Sequence, residues 1–302
     1  MDKNEVIYDT NIVATIVEFI DKKRNSDDLK IEFPNALLRG DVLALLDKFC
    51  TVIYYPLDDE GNNGFHVNIP MGDGGTCHFV FINTDQAVVK QVFTAAHELG
   101  HIWRVDDYVA NKCCLDLSNE QREQIINRFA AELLIPKDQF SMFLSSALPD
   151  LDIEEGRITI NNMIKLIAKM MNFFFVPMKS IVMRFAELGA IDEKSAELLL
   201  GQQYIPKEKL KDDLESTIID LGYTRLLERS RRKWIEGLAD MVDVVENKNI
   251  FPQSKISNIR KAFDLEKKNA TSIDETVKLD AAGIDAAEST VSKEDGIYDR
   301  DK

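Results

Sequence analysis

The stretch Gln86–Trp103, QAVVKQVFTAAHELGHIW, decides how the rest of the chain is read. It holds no proline, and its apolar positions suit a mostly buried helix. Inside it lies the pentapeptide His97-Glu98-Leu99-Gly100-His101. Residues four apart on a helix differ by about 40° in direction, so His97 and His101 project side by side and can offer ring nitrogens to one tetrahedral ion. Glu98 lies next to His97 around the helix. It can reach a water on that ion without taking a coordination position, as a general base must. Ala95, Ala96 and Gly100 keep the flanks thin, so other backbone can approach. Two satisfied core histidines are the plainer account, but HExxH spacing in a chain with 4 histidines favours a metal.

Upstream, DVLALLDKFC (Asp41–Cys50) has helical spacing and TVIYYP (Thr51–Pro56) is β-branched and aromatic. The turn signal DDEGNNG (Asp58–Gly64) separates it from Phe65–Ile69, and the break MGDGGT precedes CHFVFI (Cys77–Ile82). These runs predict a small antiparallel sheet packed on the HExxH helix, with His78 alternating among apolar residues as a sheet-surface side chain. Everything downstream reads as helical. In SNEQREQIINRFAAELLIP (Ser118–Pro136), Ser118 and Gln121 have capping-box spacing. Ile126, Phe129, Ala130, Leu133 and Leu134 form one apolar arc there, and Pro136 closes the pattern. Further helices are expected in Ile160–Asn172, Met178–Leu188, Lys207–Leu221 and Tyr223–Val245, and near Ser257–Leu265. From Lys267 onward large apolar residues are too sparse to offset ordering entropy, so 267–302 is expected to be a disordered acidic tail. The fold class is α+β.

A catalytic zinc needs a third protein ligand and one position left to water. At about 100° per residue on the helix after Ser118, Glu123 falls on the edge of the apolar arc and Glu132 points nearly opposite. Glu123 is the preferred third ligand. Glu120, Asp116, Asp107 and Asp106 remain competitors. Asn127, one turn after Glu123, is placed to steady that carboxylate or the facing helix.

FTAAHELGHIW (Phe93–Trp103), followed 22 residues after His101 by the ExxxNRFAAELLIP run (Glu123–Pro136), resembles the ImmA/IrrE family of metallopeptidases. FVFINTD before it and IAKMMNFFFVPMKSIVMRFAELGAI after it fit the same pattern, so the likeness covers roughly 41–191. The resemblance implies an intracellular zinc endopeptidase that cleaves a regulatory protein, commonly a helix-turn-helix repressor of a mobile element or stress response. Carried over by position, it makes His97 and His101 the zinc histidines, Glu98 the catalytic glutamate and Glu123 the acidic ligand. Ile125 and Ile126 depart from the family's more polar and small residues, and the chain after about Gln202 has no part in the family core. The expected organisation is an N-terminal extension (1–30), a metallopeptidase domain (31–200), a helical C-terminal region (201–266) and the tail (267–302). Tyr108, Arg104 and His66 are candidate donors to a developing oxyanion, though each also has an ordinary structural reading.

The remaining features narrow the function class. The 302 residues carry 52 acidic and 37 basic side chains, a formal charge of -15, which repels phosphate backbones and anionic membranes. No direct nucleic-acid partner is expected. The opening MDKNEVIYDTNI (Met1–Ile12) lacks an apolar run of signal-peptide length, and no stretch reaches about 18 uncharged apolar residues, so a cytoplasmic protein is expected. The four cysteines are expected as reduced thiols. Ile167–Phe185 has a helix-turn-helix outline, but its second helix offers only Lys179 and Arg184 as cations and reads better as a packing hairpin beside the substrate groove. Phe173–Phe175 reads as core. Arg225, Arg229, Arg231, Arg232 and Lys233 read as a solvated basic face. The competing function is a binding module that grips a repressor or toxin partner and uses the metal structurally; half of a toxin–antitoxin pair is a third reading.

Overall fold

A computed structural model describes residues 9–26, 37–56, 63–70, 76–150, 153–154, 157–201 and 206–229, together with 242, 246, 253, 256, 257 and 260. All of these belong to one unit, Met1–Phe263. The expected tail lies outside the described residues, as does most of the helix expected near Ser257–Leu265. In chain order the elements begin with α1 (Thr10–Arg24), α2 (Asp41–Leu46), β1 (Thr51–Tyr55), β2 (Gly64–Pro70), β3 (Thr76–Asn83) and α3 (Val88–Ile102). Then come α4 (Val105–Cys113), α5 (Asn119–Leu134), α6 (Lys137–Ala147) and a two-residue ladder of β4 (Ile153–Glu154) with β5 (Arg157–Ile158). The last are α7 (Ile160–Phe174), α8 (Met178–Glu187), α9 (Glu193–Leu199) and α10 (Lys207–Asp220). The ladder interrupts a stretch expected to be wholly helical.

The expected antiparallel sheet is in fact mixed. Its order is β1-β3-β2, with β1 parallel to β3 (Val52 beside Val80) and β2 antiparallel to it (His66 opposite Val80). The reason lies in TVIYY and FVFI, which are continuous apolar runs rather than alternating ones. Val52, Tyr54, Val80 and Ile82 join the main core, while Ile53, Tyr55, Phe79 and Phe81, facing the other way, are buried as well. Strands covered on both faces are the setting in which parallel pairing occurs. The most apolar strand takes the centre, and β2, with its polar His66 and Asn68, takes an edge.

Helix α3 is buried along most of its length, and α5 lies across it because Gly100 has no side chain. A Cβ at Gly100 would stand 2.9 Å from Phe129 Cδ1 and 3.1 Å from Ile126 Cγ2. The α5 N-terminus forms as expected: Ser118 Oγ accepts from the Gln121 N–H, and Gln121 Oε1 accepts from the Ser118 N–H. Phe129 is wholly buried against α3, and removing such a side chain from water contributes about 1.5–3 kcal/mol. Helix α1 lies within the expected N-terminal extension, yet Ile12, Ile16, Phe19 and Ile20 enter the same core. Asp9 caps it, accepting from the Asn11 and Ile12 N–H groups.

Helices α7 and α8 are bent by 104° at a break where Phe175 is left-handed (φ 59°), and both are largely buried. No single helix among the described residues is long and apolar enough to cross a membrane; this bent pair passes that test only by length and composition. Leu210, Leu214 and Ile218 of α10 extend the core. The helix expected from Tyr223 does not start there. Residues 224–226 form a 3-10 turn with Leu226 buried, Arg229 bridges to Ala87, and the Val88 N–H donates to Glu228 O at 2.8 Å. The first turn of α3 has donors without intrahelical partners, and an extended chain at Glu228 supplies one acceptor that a helix would have turned inward. Residues 230–241 lie outside the described set.

Candidate metal centre

His97 and His101 stand one turn apart on α3 and present Nε2 toward the same point, 3.1 Å from each other. Glu123, near the start of α5, completes a triangle: Oε2 is 3.3 Å from His97 Nε2 and Oε1 is 3.5 Å from His101 Nε2. Nitrogen and oxygen donors about 2.0–2.1 Å from a tetrahedral ion lie about 3.3 Å from one another, the separation seen here on all three edges. The protonation pattern also suits a cation. His97 Nδ1 is 3.0 Å from Asn127 Oδ1, an acceptor, so Nδ1 carries the proton and Nε2 turns a lone pair toward the Glu123 carboxylate. Two acceptors facing each other call for a positive charge between them. Burial, with His101 alongside, holds the His97 imidazole below its ordinary pKa and so keeps it in the neutral form a metal requires.

Glu98 stands next to His97 on α3, outside this triangle. Only 4% of it is exposed, and burial, reinforced by the Glu123 carboxylate, pushes its carboxyl up to about 8. Its Oε2 is 3.7 Å from His66 Nδ1, within electrostatic reach but beyond a hydrogen bond. The His66 ring stacks on His101 with centroids 5.5 Å apart. The register explains this position. His66 pairs with Val80, a core-facing residue, so alternation along β2 turns the imidazole to the same side as α3. His97, Glu98 and Asn127 open onto a groove of about 1100 Å³ that runs past Arg128 to Lys179 and Lys207.

Among the described residues His97, His101 and Glu123 are the His/Cys/Asp/Glu group that can hold an ion. The competing acids are elsewhere. Arg122 Nη1 binds Asp106 at 2.5 Å and Asp107 at 2.8 Å, Arg104 also grips Asp107, and Glu120 and Asp116 are exposed outside the group. Of the three candidate oxyanion donors only His66 reaches the site. Tyr108 accepts from Lys22 Nζ at 2.8 Å beside Glu18, and the Arg104 side chain is 77% exposed. His78 lies beside His66, ring centroids 6.4 Å apart, and is not part of the ligand group.

Glu123 sits at the rim, 54% exposed, at the edge of the apolar arc. The inward carboxylate on α5 is Glu132, which the wheel had turned away from the metal. It is enclosed by Arg184 (Nη2–Oε2 2.6 Å) and Arg128 (Nη2–Oε1 2.7 Å), and Glu187 binds both guanidiniums at 3.0 Å. Burial alone would raise the Glu132 pKa, but the Arg184 hydrogen bonds and the two positive charges hold it below its ordinary value. Arg128 and Glu132 are four apart on an apolar helix, a spacing that could have shown the pair; Arg184, 52 residues later, could not have been found this way.

This donor set and its neighbouring carboxyl have the chemistry of a single-metal hydrolase. Residues 48–185 match the Peptidase_M78 family, described as the IrrE N-terminal-like domain, and this match supports an ImmA/IrrE-type metallopeptidase domain in that segment. His66, His97, Glu98, His101 and Glu123 all fall inside it. A metallopeptidase-type domain implies a metal, and the His/Glu group fits one. No curated protein matches the chain.

Proposed function

We propose that the chain is a zinc-dependent endopeptidase that hydrolyses a peptide bond in a regulatory protein, a helix-turn-helix repressor acting in the cytoplasm. The peptidase domain is assigned to 31–200. The observation that carries this reading is the donor triangle of His97, His101 and Glu123 with Glu98 shielded beside it at the head of a groove. Two imidazoles and a carboxylate form a zinc set, and the half-exposed Glu123 side chain leaves the site open to solvent. A structural zinc is closed by four protein donors, so the open side favours catalysis over a purely structural ion.

When bound, the ion supplies an acidified water and polarises the peptide carbonyl. Glu98 takes the proton from the attacking water and returns it to the departing amine; its shielded position keeps bulk water from competing for that proton. His66, across from Glu98, is placed to donate a hydrogen bond to the oxygen on which charge develops. Asn127 fixes the His97 tautomer.

The test is incubation of the zinc-loaded full chain, and of Glu98→Gln, with a helix-turn-helix repressor encoded beside it. Wild type should cleave, chelation should stop cleavage, and Glu98→Gln should lose about 10²–10⁴-fold in rate while keeping its zinc. Equal cleavage by Glu98→Gln, or relief of repression with the repressor intact in both proteins, would overturn the enzyme reading in favour of a binding module.

A further inference from the structure

The groove beside the metal centre has the opposite sign to the rest of the chain. The protein carries -15 overall, yet the groove is lined by Lys90 of α3, Lys179 of α8 and Lys207 of α10, elements that meet only through the fold. Its acids do not balance them. Glu98 is a shielded carboxyl at one end, and Glu187 is already bound by Arg128 and Arg184 at 3.0 Å each. Lys90 Nζ donates to Gln86 Oε1 at 2.8 Å, whereas Lys179 and Lys207 are exposed and make no ion pair among the described residues.

We propose that this groove binds an acidic side chain of the protein substrate, with Lys179 and Lys207 as the residues that select it. The inference rests on the peptidase reading for one thing only, that the bound segment is a peptide lying across His97 and Glu98. Two ammonium groups within about 7 Å of a carboxylate favour it over the isosteric amide by about tenfold at low salt, and the preference fades as the Debye length shrinks toward about 4 Å near 0.5 M. The overall charge of -15 opposes an acidic ligand, so acid selectivity calls for a locally basic surface, and the paired lysine substitutions assign it to this one.

Two readouts separate the subsite from the chemistry. The zinc-loaded Glu98→Gln full chain is titrated with two fluorescein-labelled peptide pools of equal length, one containing Asp and Glu and the other Asn and Gln in their places. The acidic pool should bind about tenfold tighter at low salt, the preference should vanish in Lys179→Gln/Lys207→Gln, and it should reverse in Lys179→Glu/Lys207→Glu. Lys137→Glu/Lys194→Glu, the same charge change at exposed positions outside the groove, should leave the preference intact. In parallel, sequencing the products of wild-type cleavage of a mixed pool should show Asp or Glu enriched at one fixed distance from the cut. Equal binding of the two pools, a preference that survives Lys179→Glu/Lys207→Glu, or cleavage without positional enrichment overturns the subsite. Acid-selective binding that depends on the two lysines, with no cleavage by wild type, upholds the subsite and overturns the peptidase reading.

Discussion

Glu123 and Glu132 stand nine residues apart on α5 and point to opposite sides of the same helix. Glu132 is 4% exposed and lies between two guanidiniums and beside a second acid, so its charge is satisfied within the protein. Glu123 is 54% exposed and faces two imidazoles, one of which turns a lone pair toward it. The same side chain is thus used twice, once with its counter-charge built in and once with the counter-charge left to come from outside. A carboxylate closed by arginines ties α5 to α8; one that faces the His97 lone pair is a place for a cation. The contrast separates a scaffold from a centre of chemistry on one helix.

The largest effect expected from breaking the comparison is on stability. Glu132→Ala leaves Arg128 and Arg184 buried with only Glu187 between them, and should cost about 3–5 kcal/mol. Glu123→Ala, at an exposed position, should change the stability of the chelated protein by less than about 0.5 kcal/mol. Chemical denaturation of both variants after metal removal checks this, and comparable losses would erase the distinction.

Next in size is a pH effect at Glu98. Burial, and then the Glu123 carboxylate, push its folded carboxyl up to about 8 from an ordinary 4.5, so between these values the folded state holds the extra proton. The chelated protein should therefore lose stability as pH rises from about 4.5 to about 8, by on the order of 4 kcal/mol from this group. His97, depressed by burial, works the other way below its ordinary pKa. The difference between wild type and Glu98→Gln isolates the glutamate. Denaturation midpoints across this pH range should converge at low pH and separate at high pH, with Glu98→Gln the more stable.

The smallest effect sharpens the Glu123 side. Asn127→Ala removes the acceptor for His97 Nδ1–H and should weaken zinc binding about 10–100-fold without displacing the ligands. Chelator competition measures it, and unchanged affinity would mean that the tautomer is set by something else.

How much of this was legible in the sequence follows from the range of each interaction. The helix that carries HExxH and the capping box of α5 depend on spacings of three and four residues, and both elements formed. The parallel pairing of β1 with β3 depends on what covers both faces of the sheet, which was present in TVIYY and FVFI only as missing alternation. Glu123 reached the histidines from the edge of its helix because Gly100 lets α5 come close. His66 became more than one of three candidates only through strand register. Arg184 stood out in the sequence only as one of two cations on the second helix of a packing hairpin; its burial on Glu132 and Glu187 appears only in the fold. That pairing joins residues far apart in the chain and leaves no local pattern.

The most direct test of the account is anomalous diffraction at the zinc edge from crystals of the zinc-loaded full chain. A single peak about 2.0–2.2 Å from His97 Nε2, His101 Nε2 and a Glu123 oxygen, with no peak at Glu132, is the predicted result. A zinc ion bound without Glu123, or an unliganded histidine pair closed on the carboxylate by hydrogen bonds alone, would contradict it.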